Sequence, residues 1–379
     1  MGDDFAMVSI HGRVFQKISV DEKIYCVPVA NDDREEDRLT AQHDIFQRLL
    51  GDSFVSSTIR LRDPNSVLDC GYGGGDWCVQ FAETFEDCKV TAIDIFPMGL
   101  PDQPDNLELF SYNLNDRLND PEVFETRPYD LIHSRFVSPG IKKNRWASYI
   151  RDMRVLLRPG GWVQVAEYHL HIQSNSGRLT ERSAVYRWWQ GYARSMTDLQ
   201  RDPRVAPRLQ ELVAAAGLRD VQTDYKRLPI GGWHPDPTQA GIGRDAICVV
   251  GDLLESLGLW PFTAYLGWTA AQFDFLIQEV RLELQDTELN LYLPIHIVCE
   301  RVVLSKDHLL TYDNVLKMRH SYPVFEKEQQ GDDSVSMEDD GIKGPSRGGK
   351  SNHQRRQSKP TVNTSPVCAE GADGTSKHS

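Results

Sequence analysis

A glycine-rich segment between an apolar run and a helical pattern is the strongest constraint on the fold of this chain. The segment, Asp69-Cys70-Gly71-Tyr72-Gly73-Gly74-Gly75, follows the apolar run 66–69 and precedes a helical window over 77–85. Glycines let the backbone turn sharply and approach a ligand without a Cβ clash. The next apolar run ends at Asp94, where a carboxylate can accept hydrogen bonds from both hydroxyls of a ribose. These features together predict a nucleoside-cofactor site.

Short apolar runs alternate with helical windows along residues 66–165, which is typical of a doubly wound parallel α/β sheet. An amphipathic helix is predicted before it, between Asp32 and Gly51, and the segments 8–18 and 23–29 indicate a small N-terminal hairpin. A second helical block spans 179–217, a helix with a capping box begins at Thr269, and 291–303 predicts a closing strand. The strands predicted for the sheet are 66–69, 89–94, 107–110, 129–133 and 162–166, with helices at 77–85 and 146–157.

The spacing acid-x-G-x-G-x-G separates two classes of cofactor. A dinucleotide site uses G-x-G-x-x-G and holds a pyrophosphate on a helix N-terminus. Here Asp69 opens the segment and Asp76 follows its last glycine, and two carboxylates at a helix entrance would repel a pyrophosphate. The pattern therefore favours a cofactor with a cationic amine and no phosphate, and disfavours a dehydrogenase with the same sheet.

This pattern resembles the class I S-adenosylmethionine-dependent methyltransferases, which implies a Rossmann-like, seven-stranded doubly wound sheet and S-adenosylmethionine as the cofactor. In that family the acid-glycine segment lies against the methionine part of the cofactor, and the strand-end acid, here Asp94, binds the ribose. A polar residue after the third strand contacts adenine, and Asn113 or Asn115 occupies that place here. The cofactor-binding residues that the resemblance implies are Asp69, Gly71, Tyr72, Gly73, Gly75, Asp94, Ile95, Asn113, Leu114 and Ser134.

More specific motifs are similar to one fungal branch, the LaeA-like methyltransferases. They are Asn31-Asp32-x-x-Glu35-x-Asp37-Arg38-Leu39-x-x-x-His43, Asp130-Leu131-Ile132-His133-Ser134-Arg135 and Leu228-Pro229-Ile230-Gly231-Gly232-Trp233-His234-Pro235-Asp236. The resemblance implies methylation of a small-molecule secondary metabolite on oxygen, nitrogen or carbon. Its alternative is a nuclear regulator of secondary metabolism that acts through a velvet-type protein complex. The glycine pattern departs from that of the regulator at Tyr72 and Gly74, which favours the catalytic role.

Candidate catalytic residues are expected at the carboxyl ends of the fourth and fifth strands, where open α/β sheets bind ligands. Methyl transfer is an in-line displacement at a sulfonium, so a general base is needed only when the nucleophile must lose a proton. The candidates are His133, Glu167 and His169. For each histidine the alternative is a structural hydrogen bond beside the cofactor. For Glu167 it is an ion pair with Arg135.

Candidate substrate contacts follow the same two strands and one later loop. Arg135 and Tyr168 are strand-end residues, and Trp233 and His234 lie in a glycine-rich loop, where aromatic side chains predict a lid over the acceptor pocket. His43, between apolar helix positions, is interpreted as structural. Aromatic residues at helical spacing are more typical of core packing than of a substrate clamp; they are Trp188, Trp189 and Tyr192.

The composition of the chain indicates which binding partners and which subcellular location to expect. Lysine and arginine number 42 against 55 aspartates and glutamates, a formal net charge of −13, which disfavours nucleic-acid phosphates and anionic membranes as partners. The N-terminus begins with acids instead of a secretory signal, and no run approaches the ~18 apolar residues of a membrane span. Seven scattered cysteines without a C-x-x-C pair predict no metal site and a reducing compartment. The expected location is the cytoplasm.

The domain prediction is one enlarged domain with flanking segments. Residues 1–30 are a short N-terminal segment, 31–307 a methyltransferase domain with a helical cap at about 170–290, and 325–379 a disordered tail poor in large apolar residues. A basic block over 343–359 within that tail leaves a nuclear address as the alternative location.

Overall fold

A computed structural model describes residues 6–96, 99–100, 103–124, 129–217 and 221–301. The chain divides into two compact units, Met1–Ser305 and Lys306–Ser379, and all described residues belong to the first. The predicted disordered tail, with its basic block, lies outside the described residues. The short N-terminal segment belongs to the same unit as the predicted methyltransferase domain.

The N-terminal hairpin is shorter than predicted. Strands β1 (Met7–Ile10) and β2 (Arg13–Gln16) pair antiparallel, and helix α1 (Lys17–Asp21) follows directly. The chain reverses at His11 and Gly12, which both have positive φ, as a tight two-residue hairpin turn requires. The second predicted strand, over 23–29, is not formed. Helix α2 (Asp33–Leu49) agrees with the sequence, and the Asp32 side chain caps it by accepting from the Glu35 N–H.

The parallel part of the sheet confirms the predicted α/β class. Its hydrogen-bonded order is β5-β4-β3-β6-β7, and every neighbouring pair is parallel. In chain order its elements are β3 (Ser66–Cys70), α3 (Asp76–Thr84), β4 (Lys89–Asp94), β5 (Leu107–Ser111), β6 (Tyr129–Arg135), α4 (Trp146–Leu156) and β7 (Leu157–Tyr168).

The C-terminal part of the unit adds strands to one edge of this sheet. Its elements are β8 (Gln173–Ser174), α5 (Ala184–Asp198), α6 (Leu209–Ala215), β9 (Gln222–Pro229), α7 (Pro237–Trp260), α8 (Ala270–Gln285) and β10 (Leu291–Arg301). β10 runs antiparallel beside β7, and both β8 and β9 pair with it. Among the described residues the sheet therefore has eight strands, one more than the predicted seven, because the two-residue β8 also joins it.

The sequence analysis did not predict β9 or α7. β9 has exposed and half-buried residues along most of its length, so it carries little apolar signal. Helix α7 contains four glycines, which lower helix propensity. Two of them allow close packing, because a Cβ at Gly243 would lie 2.3 Å from the Gly231 carbonyl oxygen and one at Gly258 would lie 2.8 Å from Trp188 Nε1. By contrast, α8 begins with the predicted reciprocal capping box of Thr269 and Gln272.

The region predicted as a helical cap packs closely on the rest of the unit. Within 170–290, β9 joins the central sheet, α6 packs on the core helix α4, and α7 packs on α2 and α8. The segment Pro237–Tyr265 is long and apolar enough to cross a membrane by composition, but 72% of its apolar window is buried within the protein. That burial is what a core helix requires.

The core consists of two apolar layers separated by the sheet. Alternate strand residues enter opposite layers, as the two-residue period of a strand demands: Val67 and Leu131 pack with α3, whereas Leu68 and Ile132 pack with α4. All four of these strand side chains are fully buried. Helices therefore cover both faces, and the carboxyl ends of the parallel strands are left to form a cleft.

Candidate active site

The glycine-rich segment forms a tight loop between β3 and α3. Gly71, Gly73 and Gly75 have φ values of +84°, +56° and +90°, in the left-handed region that favours glycine. A Cβ at Gly71 would lie 2.5 Å from Val137 Cγ1, so the close approach of the loop to the segment after β6 needs glycine there. Gly75 is the N-cap residue of α3.

A cleft with about 1340 Å³ of space, open to solvent, lies at this edge of the sheet. It brings together residues predicted separately for the cofactor, for catalysis and for the acceptor. The predicted residues that line it are Gly71, Tyr72, Gly73, Asp94, Ile95, Asn113, Leu114, Arg135, Glu167 and Tyr168. The predicted residues outside its lining are Asp69, Gly75, His133, Ser134, His169, Trp233 and His234.

Asp94 is fixed by backbone amides at the end of β4. Its Oδ2 accepts from the Gly73 N–H at 3.0 Å and its Oδ1 from the Phe96 N–H at 3.0 Å. Burial raises the pKa of this carboxyl to about 6, and the amide hydrogen bonds oppose that rise. Each carboxylate oxygen keeps acceptor capacity, so Asp94 is pre-oriented to receive two neighbouring hydroxyls.

Asn113 and Asn115 differ in how far their amides are used within the protein. Asn115 donates from Nδ2 to Asn113 Oδ1 and to the Gly140 carbonyl, and its Oδ1 accepts from the Lys142 N–H. The Asn113 amide nitrogen has no protein partner in the described part of the chain. Of the two alternatives for contact with adenine, Asn113 is therefore the one with a free donor, and both residues line the cleft.

Asp69 and His133 form a buried pair behind the glycine loop. Asp69 Oδ1 lies 2.8 Å from His133 Nδ1, and the His133 ring stacks on Trp77 with 3.9 Å between ring centres. Burial lowers the pKa of His133, and its bond to Asp69 opposes that shift. The structure thus matches the alternative of a structural histidine, with a carboxylate as its partner. His133 is not among the residues that line the cleft, and its role as a base stays a prediction.

Two further predicted site residues, Ser134 and His169, make contacts away from the cleft. The Ser134 hydroxyl lies 3.0 Å from the Tyr149 hydroxyl in the core. The His169 ring lies among His171, His296 and Trp189, and burial together with the neighbouring imidazoles lowers its pKa to about 4. These positions explain why neither residue lines the cleft.

The predicted lid residues hold the loop before α7 instead of covering the acceptor. The Trp233 indole donates to the Leu291 carbonyl at 2.8 Å, and His234 Nδ1 accepts from the Asp236 N–H at 3.1 Å. The loop aromatic therefore packs on β10. Trp188 and Tyr192 are core residues, as interpreted, and the Trp188 indole donates to the Leu254 carbonyl.

Glu167 is the candidate base that the structure places in the cleft. It ends β7 with no solvent exposure, and its Oε1 accepts from the Val137 and Ser138 N–H groups at 2.8 and 3.1 Å. Its Oε2 is buried without a hydrogen-bond partner among the described residues. Burial raises the pKa of Glu167 to about 7, and the hydrogen bonds oppose that rise. The predicted ion pair with Arg135 is not formed within the described chain.

The side of the cleft beyond Glu167 is built by segments that the sequence analysis did not connect to the site. The N-terminal segment contributes Tyr25, α2 contributes Arg38 and α7 contributes Leu253 and Leu257. On the same wall, the rings of Phe136 and Tyr168 stack with 3.6 Å between centres. This mixed aromatic and aliphatic wall is typical of a small-molecule pocket.

A buried ionic network supports this wall. Glu35 pairs with Arg38 at 2.7 Å and with Arg13 at 3.3 Å, and it accepts from the Ser256 hydroxyl at 2.7 Å. Arg13 also pairs with Asp32 at 2.8 Å. Glu35 and Arg38 belong to the motif on which the LaeA-like resemblance depends. Their spacing in the sequence predicts only the start of a helix and does not reveal the residues with which they pair.

The residues present fit S-adenosylmethionine. The glycine loop gives a surface without side chains, Asp94 suits ribose hydroxyls, and Asp76, which lines the cleft, suits a cationic amine. Asp94 and Asp76 also make the pocket unsuitable for a pyrophosphate. Within the described ranges, no group of three or more His, Cys, Asp or Glu side chains is placed to hold a metal ion.

Comparisons with known proteins find a methyltransferase domain and similar fungal proteins. A methyltransferase domain family matches residues 36–223. The methyltransferase pytC of Aspergillus terreus is 27% identical over 264 residues, which cover 69% of this chain and 79% of that protein. The secondary metabolism regulator laeA of Monascus pilosus is 27% identical over 304 residues, 78% of each chain. The protein-methionine methyltransferase laeA of Emericella nidulans is 27% identical over 274 residues, 70% of each chain.

The matched region runs from α2 to the start of β9 and contains the glycine loop, Asp94 and Glu167. The fold, the cofactor surface and these similarities agree with one another. The chain carries an S-adenosylmethionine-dependent methyltransferase domain and is similar to the fungal pytC and LaeA proteins.

Proposed function

We propose that this enzyme methylates a small-molecule secondary metabolite in a fungal biosynthetic pathway. The observation that carries the proposal is that aromatic and aliphatic side chains line the same cleft as the glycine loop; they are Tyr25, Phe136, Tyr168, Leu253 and Leu257. A wall of this kind suits an apolar or aromatic acceptor, and the cleft has room for an acceptor beside the cofactor.

S-Adenosylmethionine supplies an electrophilic methyl group on a sulfonium. The protein's contribution is to hold an acceptor in line, to exclude water and to receive a proton where the nucleophile releases one. Glu167 suits the last task because one carboxylate oxygen is held by two amides and the other is free. A base with a pKa near the working pH is the most effective.

Similarity to proteins named as secondary metabolism regulators supports a second candidate function. In that case the chain would act in the nucleus with a velvet-type protein partner, and its acceptor would be a protein. The aromatic and aliphatic lining favours the small-molecule acceptor, and with that function we propose a cytoplasmic location. Both functions use the same cofactor surface, so cofactor binding does not separate them.

Metabolite profiling of a deletion strain tests the proposal. We expect one pathway to stop at a compound that lacks a single methyl group, and we expect wild-type protein to restore the product. A protein with Asp94→Asn should not restore it. Changes spread over many unrelated pathways, with no compound that lacks one methyl group, would contradict the proposal and favour the regulator.

A further inference from the structure

The guanidinium of Arg135 is a charge in the cleft without an acidic partner. Arg135 ends β6 and lines the cleft, and its Nη2 lies 3.2 Å from His43 Nδ1. Its guanidinium carbon lies 5.1 and 5.6 Å from the ring centres of Phe46 and Phe136. No carboxylate of the described residues forms an ion pair with it. Arg38, the other arginine of the lining, is paired with Glu35.

This arrangement fixes the guanidinium but leaves most of its hydrogen-bonding capacity unused. A guanidinium has five N–H donors, and one of them is directed to His43. His43 Nε2 lies 3.0 Å from Gln80 Oε1, so the imidazole is held in turn. Burial lowers the pKa of Arg135, and the charges of Asp69 and Asp76 only partly oppose that effect. A half-buried cation of this kind without an acidic partner favours an anionic ligand.

The sheet order indicates where that anion lies relative to the nucleoside. β3 is hydrogen-bonded to β4 on one side and to β6 on the other. The glycine loop that follows β3 therefore separates Asp94, at the end of β4, from Arg135, at the end of β6. If the ribose is held at Asp94, a substituent that crosses the loop reaches Arg135 after two strand spacings. Neighbouring strands are about 4.8 Å apart, so the span is about 10 Å, which suits an extended amino-acid chain.

A second charge in the same part of the cleft complements Arg135. Asp76 begins α3 directly after the glycine loop and lines the cleft, and its Oδ1 accepts from the Thr40 hydroxyl at 2.9 Å. One cation and one anion beside the loop match the carboxylate and the ammonium of an α-amino acid. A planar guanidinium can bind a carboxylate through two parallel hydrogen bonds.

We propose that Arg135 binds the α-carboxylate of the methionine part of the cofactor. His43, Phe46 and Phe136 hold the guanidinium in place for it. The arginine would then select cofactors that carry the amino-acid group over truncated adenosine thioethers. This inference rests on the cofactor and does not depend on the identity of the methyl acceptor.

Calorimetry with two adenosine thioethers tests this proposal. S-Adenosylhomocysteine carries the amino-acid group, and 5′-methylthioadenosine lacks it. In Arg135→Gln we expect the affinity for S-adenosylhomocysteine to fall about tenfold to a hundredfold, the range for a lost charge-assisted hydrogen bond. Affinity for 5′-methylthioadenosine should change less than about threefold, because that ligand has no carboxylate for Arg135 to bind. Arg48→Gln, on the outer part of α2, is the control and should bind both ligands as the wild type does.

Two results would overturn the proposal. An equal loss of affinity for both ligands would mean that Arg135 only stabilises the structure of the cleft. Unchanged affinity for S-adenosylhomocysteine would mean that its carboxylate binds elsewhere, and that Arg135 serves an anionic acceptor. If Arg135→Gln does not fold, Arg135→Lys keeps the charge and is measured against decarboxylated S-adenosylmethionine. The wild type should prefer S-adenosylmethionine, and the lysine variant should lose part of that preference; an unchanged preference would overturn the proposal. None of these binding results decides the small-molecule acceptor, which metabolite profiling tests separately.

Discussion

The two ends of the cleft are built in different ways. The cofactor end uses backbone amides, glycines and strand-end acids from three short stretches, at residues 69–76, 94–96 and 113–115. The acceptor end uses side chains from the N-terminal segment, α2, β7 and α7, which are distant in sequence. The first end needs only local conformation after a strand, whereas the second exists only when separate elements pack together.

The charged residues at the two ends are also held in place by different kinds of partner. Asp94 is held by the amides of Gly73 and Phe96, within its own end of the sheet. Glu35 and Arg38 are held by each other and by Arg13 and Ser256, which come from β2 and α7. Substitutions in the elements that build the acceptor end therefore need not alter the conformation of the glycine loop at the cofactor end.

The largest expected effect separates chemistry from cofactor binding. With Glu167→Gln we expect methyl transfer to fall about 10²–10⁴-fold, the usual contribution of a general base. Affinity for S-adenosylhomocysteine should stay within about threefold of the wild type, because the amide-held oxygen position is kept. Product formation in the complemented deletion strain and calorimetry measure the two quantities.

Glu283→Gln is the matched control for that change. Glu283 accepts from the Ala184 and Val185 N–H groups at 2.8 and 3.0 Å, as Glu167 accepts from two consecutive amides, but it lies outside the cleft lining. It should leave methylation unchanged. Full methylation by Glu167→Gln would show that the acceptor end supplies no base.

The next effect tests whether the acceptor end depends on its ionic network. Arg38→Leu leaves Glu35 buried with Arg13 as its remaining cation, so we expect the free energy of unfolding to fall by about 3 kcal/mol, the lower end for a broken buried pair. Denaturant unfolding measures it. The control Arg187→Leu removes a pair with Glu279 at a partly exposed site and should cost about 1 kcal/mol or less. Equal losses in the two variants would contradict a structural role for the network.

The smallest expected effect tests whether the Asp94 carboxylate binds the cofactor. Its pKa of about 6 means that the carboxylate is ionised at pH 7.5 and mostly protonated at pH 5. A protonated carboxyl accepts fewer hydrogen bonds, so we expect the affinity for S-adenosylhomocysteine to fall about tenfold between these pH values. Calorimetry across this range measures it. Asp94→Asn should bind more weakly and show a flat profile, and a flat wild-type profile would contradict the assignment.

Prediction from sequence worked best where a local rule governs the structure. The glycine loop, Asp94, α2 and the Thr269 capping box follow from φ preferences, strand ends and helix caps, which act over a few residues. It says less about His133, Trp233 and His234, whose side chains bond to Asp69, the Leu291 carbonyl and the Asp236 amide and lie outside the cleft lining. Residue type alone does not reveal such partners.

The sequence by itself determined the α/β class, the glycine loop and the similarity to S-adenosylmethionine-dependent methyltransferases, since each depends on short motifs whose spacing reflects backbone geometry. Only the tertiary structure decided which strand-end residues face the cleft. It places Glu167 and Arg135 in the lining and His133 and His169 outside it. It also brought Tyr25, Arg38 and Leu253 to one wall. The physical reason is that a long-range contact depends on how helices and strands pack, and no local spacing encodes that packing.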